Sequence, residues 1–329
     1  MAFVSVKYEC RAPAATTSVS LAQMYDTTLE QIAWIDSLGL PVTINFCEHH
    51  GSDDGYLPSP LLLAAAAARL TRHVRLQVNV LLPYLDPLRV AEDVAVLDHL
   101  SHGRAEVLLL GGYVASELAM FGVEPRERGR LMEEGVRALK EAWTGEPFTY
   151  RGRPARVFPR PLQQPHPPLF MGGNAAPAAR RAAREADAFI GGMPHLNEIY
   201  GKECTALGKP PRFQGELPMG FLYVSEDPER DWARLAPFCL YETNCYARWQ
   251  QGSSVDMLFG SAVSTDELRK LGTYQVLRAE DVLARAARMA PNDCIMLHPL
   301  VGGLDADLSW ETLRNFFDKV APRLNINGI

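Results

Sequence analysis

The chain has 329 residues, 47% of them apolar and 22% charged, with a net charge of -6. That length and apolar content can bury a full core in one large domain or two ordinary ones, and the acidic balance supplies no clustered positive field for nucleic acid or anionic lipid. The six cysteines, at 10, 47, 204, 239, 245 and 294, form no CxxC pair and fall mostly in apolar runs, so reduced thiols are expected and a disulfide framework is not. The first residues alternate polar with apolar instead of forming a basic-then-apolar leader, and no apolar run reaches membrane-spanning length; a cytoplasmic location is the expectation.

In chain order, a strand over 3–10 precedes a helical pattern over 21–38 closed by Gly39, and a second strand over 42–47 completes a β-α-β unit. An alanine-rich helix over 60–70, a strand over 74–82, a helix over 87–100 and a strand over 105–110 continue the alternation. A long helix over 127–143 stops at Thr144-Gly145, and a Pro- and Arg-rich stretch over 146–168 leads to a short strand at 169–171. Helix 175–185, strand 188–190, helix 196–207, strand 217–224 and a long helix over 228–250 follow, then a less regular region to 264, helical turns to 288, a last strand at 294–297 and a helix over 310–324.

Eight strands alternating with helices, without a break in composition, predict a single α/β domain over 1–329, a closed (β/α)8 TIM barrel with insertions at the C-terminal face. An open doubly wound sheet is the rival. In the second strand Val42, Ile44 and Phe46 fall on one side and Thr43, Asn45, Cys47 and His49 on the other; in the third, Val74, Leu76, Val78 and Val80 oppose Arg75, Gln77 and Asn79. A barrel would pack the apolar sides under its helices and line its interior with the polar ones. Segments 146–168 and 246–271 read as insertions, the second with the length and irregularity of a lid.

Chemistry gathers where strands end. Glu48-His49-His50 closes the second strand, and alternation turns only His49 inward, where an imidazole can exchange a proton at neutral pH. A rim-capping histidine is the plainer reading. Cys47, His49 and His50 would make a metal site only if adjacent residues converged, which a strand prevents; no metal is expected. Met171-Gly172-Gly173-Asn174 leads into an alanine-rich helix, with Asn174 expected as N-cap and Pro177 in the first turn, so its open amides would suit a phosphate; ordinary turn chemistry explains the same residues. Gly111-Gly112 and Gly191-Gly192 open two more loops where a flat ring could approach the backbone, or simply punctuate them. Lys7 and Glu9 share the inward side of the first strand, and pairing between them is expected.

The stretch Pro83-x3-Pro87-Leu88-Arg89-Val90-Ala91-Glu92-Asp93-x3-Leu97-Asp98-x-Leu100-Ser101-x-Gly103-Arg104 resembles the third helix, and its turn into strand four, of the luciferase-like flavin monooxygenases. Glu48-His49-His50 is similar to that family's acidic-His-His motif, and Phe121-Gly122, Arg128, Glu133-Glu134 and Trp143-x-Gly145 follow in the family's order. The resemblance implies a TIM-type barrel that uses reduced FMN and dioxygen to oxidise a small organic substrate through a C4a-(hydro)peroxyflavin. It carries the catalytic histidine to His49, the ring-side position on strand three to Asn79, the phosphate loop to Gly173 and Asn174, and the ring-flanking residue to Met193; Gly172, Gly111 and Gly112 join the expected cofactor site on the reading of their loops. Gly111 stands where some members place a phosphate-binding arginine, and Asn174 and Pro177 replace hydroxyl residues that often hold the phosphate. Both departures suit a two-component enzyme to which a separate flavin reductase supplies FMNH2. The family commonly dimerises through helices two and three. The alternatives on the same fold are an F420-dependent hydride-transferring oxidoreductase and a non-catalytic flavin-binding relative; a metal-dependent hydrolase is the rival from another class.

Overall fold

The computed structural model describes residues 2–251 and 260–327. β1 (Ala2–Tyr8), α1 (Leu21–Ser37), β2 (Thr43–Phe46), α2 (Pro60–Leu70), β3 (Arg75–Leu81), α3 (Pro87–Leu100) and β4 (Ala105–Leu110) alternate as the periodicity predicts. A short α4 (Ala115–Met120) and the long α5 (Arg128–Thr144) come next, followed by a hairpin of β5 (Phe148–Tyr150) and β6 (Arg153–Ala155). β7 (Leu169–Gly172), α6 (Ala176–Glu185), β8 (Ala188–Ile190), α7 (Pro194–Ala206) and β9 (Phe213–Gln214) resume the alternation. The remainder is β10 (Phe221–Val224), α8 (Pro228–Gln250), α9 (Thr265–Leu271), β11 (Tyr274–Leu277), α10 (Ala279–Ala286), β12 (Cys294–Leu297), α11 (Ala306–Asn315) and β13 (Ile326–Asn327).

All neighbours in the main sheet are parallel, in the order β12-β1-β2-β3-β4-β7-β8-β9. The amide of Gly215 donates to the Asn292 carbonyl at 2.6 Å and that of Cys294 to the Glu216 carbonyl at 3.0 Å, which joins the end of β9 to the start of β12 and closes the ring. β10 continues beside β12, pairing Phe221 with Met296, so β9 and β10 share one strand position and the barrel has eight. β11 adds to the far edge of β10. The molecule is thus a (β/α)8 barrel, and the open sheet is excluded.

Alternation sorts the strands as the sequence predicts. Val4, Val6, Ile44, Phe46, Leu76, Val78, Val80, Val107 and Leu109 join the core between strands and helices. The opposite side of β1, β2 and β3 carries Ser5, Lys7, Thr43, Asn45, Gln77 and Asn79, all buried and polar, whereas β4, β7 and β8 contribute the apolar group Leu108, Phe170 and Ala188. Helix ends follow local chemistry: Ser20 and Gln23 form a capping box on α1, Asp86 accepts the Leu88 amide ahead of Pro87 on α3, and Gly145 closes α5 at φ 76°. Arg104, at the end of the long motif, is buried and donates to the carbonyls of Ala68, Thr71 and Val74, so it ties the last turn of α2 to the strand that follows. That part of the motif is scaffold.

The structure departs from the sequence reading in several places. The strand expected over 217–224 is only Phe221–Val224, because Gly220 turns the chain at φ 53° against the Thr273 carbonyl. The region expected as helical turns to 288 contains β11 between α9 and α10. Segment 146–168 holds the β5-β6 hairpin, and its Gln163 bonds Asp98 and the Ala105 carbonyl, at the starting end of the strands and so opposite the barrel mouth. Of the expected lid, 246–250 is the end of α8, 265–271 is α9, and 252–259 lies outside the described residues.

Candidate active site

His49 stands just beyond β2, at the C-terminal end of the barrel, where its amide donates to the Leu57 carbonyl. Its imidazole is buried, 7% exposed, and Nδ1 meets Oε1 of Glu117, delivered by α4, at 2.8 Å. The same oxygen accepts the His50 amide at 2.9 Å. His50 turns the other way: its Nε2 meets Glu48 at 3.0 Å, and Glu48 accepts the Leu81 amide at 2.6 Å. Cys47, His49 and His50 therefore do not converge on a common point. Burial pushes the Cys47 thiol up to about 11, although Lys7 pulls the other way, so it remains a neutral thiol at physiological pH.

Aromatic rings enclose the imidazole. Tyr56, Tyr113 and Tyr246 present near-perpendicular contacts with centroids 4.9, 5.7 and 5.8 Å away, and Trp249 lies across it at 4.5 Å and 32°. Tyr246 and Trp249 come from the last turns of α8, which crosses the barrel mouth from the β10 side to β2. Beside them, the Tyr56 and Tyr246 hydroxyls are 2.8 Å apart.

A buried ionic cluster pins α8 in this position. Lys7 meets Glu242 at 2.7 Å and Glu9 at 3.5 Å, and His298, at the end of β12, meets Glu242 at 3.1 Å. Pairing of Lys7 with Glu9 is present as expected, but the shorter contact is to α8. Burial favours neutral forms of all these groups, yet their mutual charges prevail: Lys7 is held well above its usual range chiefly by Glu242, Glu242 well below its own by Lys7 and His298, and Glu9 below its own by Lys7 and Arg11. Glu9, Glu242 and His298 offer ligand atoms within 4.8 Å of one another, but the Lys7 ammonium already supplies the cation that two carboxylates require. Arg11 is bound by Asp54 and lies over the rings of Tyr56, Tyr241 and Trp249.

Asn79 is buried on β3, its Oδ1 accepting from Asn45 at 2.9 Å, and Asn45 donates also to Gln77 at 2.8 Å. Gly111 and Gly112 follow β4; Arg128 donates to the Gly112 carbonyl, and the Tyr84 hydroxyl occupies the place a side chain at 112 would need. Gly172 ends β7 three strand positions round the ring from β2, so Gly173 and Asn174 open at the same end of the barrel as His49. Asn174 is not the N-cap: α6 starts at Ala176 behind Ala175, and the Asn174 side chain instead accepts the Gly192 amide at 3.2 Å. That bond joins the loop after β7 to the loop after β8, where Met193 precedes α7 and packs against the core. Glu117, Tyr113, Trp249 and Glu242 were not singled out by the sequence, because each reaches the site from a distant segment, and Tyr56, in the loop that also holds His49, carries no local signal.

The luciferase-like monooxygenase family model matches residues 4–253. An uncharacterised protein, y4wF, of Sinorhizobium fredii is 36% identical over 170 residues, covering 50% of this chain and 49% of that protein. An FMNH2-dependent dimethylsulfone monooxygenase of Pseudomonas putida is 31% identical over 172 residues, covering 50% of this chain and 47% of that one. The chain thus spans about half the length of these curated relatives. Among solved structures, the oxygenating constituent of 3,6-diketocamphane monooxygenase from Pseudomonas putida, in complex with FMN, superposes with a TM-score of 0.77 at 15% identity, covering 98% of this chain and 99% of that one. An F420-dependent secondary alcohol dehydrogenase gives 0.68 at 14%, with 98% and 99% covered. At these identities the superpositions establish the barrel, and the match over residues 4–253 establishes that the chain belongs to the luciferase-like monooxygenase family.

Proposed function

We propose that the protein is a flavin-dependent monooxygenase that takes reduced FMN and dioxygen and oxidises a small organic substrate, with His49 as its catalytic residue. The observation that carries this reading is the buried His49 imidazole, bonded to Glu117 and covered by α8, at the barrel end where the loop 172–174 also opens. The residues fit the cofactor. A Cβ at Gly172 would stand 2.6 Å from Leu110 and one at Gly173 2.7 Å from Ala178, so both positions require glycine and the loop runs as bare backbone into the start of α6, where amides would suit a phosphate. Gly172, Gly173 and Asn174 would hold the phosphate end, and Asn79, Gly111, Gly112 and Met193 would border the ring. Reduced FMN would supply the electrons and the centre at which dioxygen is activated. The protein's part is to orient it, to move a proton through His49 and to exclude water beneath the aromatic cover.

The phosphate loop offers amides but no arginine or lysine, which supports transient binding of FMNH2 from a separate reductase. A groove of about 550 Å³ that runs from Glu48, His50 and Asn79 out to Leu61, Leu62 and Val96, together with the exposure of Leu62, supports a homodimer through α2 and α3. No described helix is long and apolar enough to cross a membrane; we place the protein in the cytoplasm on its cysteine usage, all six thiols being free and buried. One domain over 1–329 is the organisation we favour.

Anaerobic titration with FMNH2 followed by an oxygen pulse tests the reading. Binding and a transient absorbance before flavin reoxidation, lost in His49→Ala, are expected. Turnover with reduced F420 and none with FMNH2 would instead assign hydride transfer, binding without turnover would leave a flavin-binding relative without catalysis, and no binding at all would leave only the fold.

A further inference from the structure

Two histidines stand side by side after β2, and each meets a glutamate, yet the pairings differ in kind. Glu48 is a close chain neighbour of His50, and its second oxygen is taken by the Leu81 amide, so that pair fastens the loop to the end of β3. Glu117 reaches His49 from α4 with its side chain only 2% exposed, and a single oxygen, Oε1, faces both His49 Nδ1 at 2.8 Å and the His50 amide at 2.9 Å. A carboxylate oxygen accepts and does not donate, and one already accepting a backbone N–H would repel a bare imidazole nitrogen. Nδ1 therefore carries the hydrogen, and the lone pair of the neutral ring stands on Nε2. The surrounding edges of Tyr56, Tyr113 and Tyr246 fix the plane of the imidazole; Glu117 decides which nitrogen is protonated.

We infer that Glu117 is the positioning residue of the site: it holds His49 in the Nδ1–H tautomer, presents Nε2 as the proton acceptor, and stabilises the imidazolium once Nε2 has taken a proton. The transfer moves one proton from an acidic O–H or N–H of the reacting molecule to Nε2, while the Nδ1 hydrogen stays on the ring and no electrons change hands. The origin of that proton rests on the proposed function; the tautomer does not.

Nitrogen NMR of the cofactor-free protein reads the tautomer directly. The wild type is expected to show His49 with Nδ1 protonated and Nε2 bare. Glu117→Gln keeps an acceptor oxygen and should keep the tautomer while removing the charge; Glu117→Leu removes both, and the Nε2–H form should appear. With FMNH2 and an oxygen pulse, the His49-dependent transient should decline by on the order of 10–100-fold in E117L and less in E117Q, with FMNH2 affinity unchanged. Retention of Nδ1–H in E117L, or an Nε2–H ring in the wild type, overturns the proposal whatever the flavin does. If E117L does not fold, E117Q decides: a transient as large as in the wild type overturns the electrostatic role. The expected tautomer without any response to FMNH2 overturns the flavin reading and leaves this one standing.

Discussion

The indole of Trp249 lies 4.5 Å from the imidazole of His49, so the last turn of α8 forms the cover over the candidate catalytic group. If that cover excludes water, Trp249→Ala should leave FMNH2 binding in place but divert oxygen to hydrogen peroxide. A several-fold rise in peroxide released per flavin oxidised is expected. Equal yields in the variant and the wild type would mean that the indole shields nothing.

The cover is held by charge as much as by packing. Lys7 sits between Glu242 on α8 and Glu9 just after β1, and its removal takes away the ammonium both carboxylates share, leaving only His298 and Arg11 to face them in a site that water does not reach. Breaking such a buried pair costs about 3–5 kcal/mol, whereas replacing both partners with apolar groups costs far less. Denaturant unfolding should therefore show a larger loss for Lys7→Met than for Lys7→Met combined with Glu242→Leu. A double variant less stable than the single one would contradict this account of α8.

Much of this arrangement was legible in the residues, for identifiable reasons. Strict alternation in Thr43–Phe46 and Arg75–Leu81 is a local signal, and it announced both the barrel and its polar interior. Inward placement of His49 follows from the same alternation. Glu117, however, approaches across the mouth on a six-residue helix whose sequence has no periodicity to announce it. Trp249 and Glu242 lie on a helix that was expected, but the path of that helix across the mouth is set by buried ion pairs with β1 and β12, which no window of sequence contains. The N-cap assigned to Asn174 erred by one residue because Asn174 serves the neighbouring loop instead.

The loop after β7 gives a third expectation. Gly173→Ala would bring a Cβ to 2.7 Å from that of Ala178, forcing the loop away from the start of α6. FMN affinity measured by calorimetry should fall by roughly tenfold, about 1.4 kcal/mol. Asn174→Ala, which removes only the acceptor for the Gly192 amide, should cost about 1 kcal/mol of stability. An unchanged FMN affinity in the glycine variant would remove this loop from the cofactor site.

His298 makes the cluster sensitive to pH, and the sign follows from its surroundings. Burial disfavours its charged form and Lys7 opposes it too, but Glu242 at 3.1 Å and Glu9 at 3.6 Å prevail, so its pKa is raised above the ordinary value of 6.5. A group raised on folding contributes stability that is fully present below its unfolded value and is lost as pH rises through its folded one. The melting temperature of the wild type should therefore exceed that of His298→Gln by a constant margin below about pH 6.5, and the margin should narrow on the alkaline side. A margin that widens with rising pH would show that the imidazole is buried neutral, and that Lys7 and Arg11 alone balance the carboxylates of the cluster.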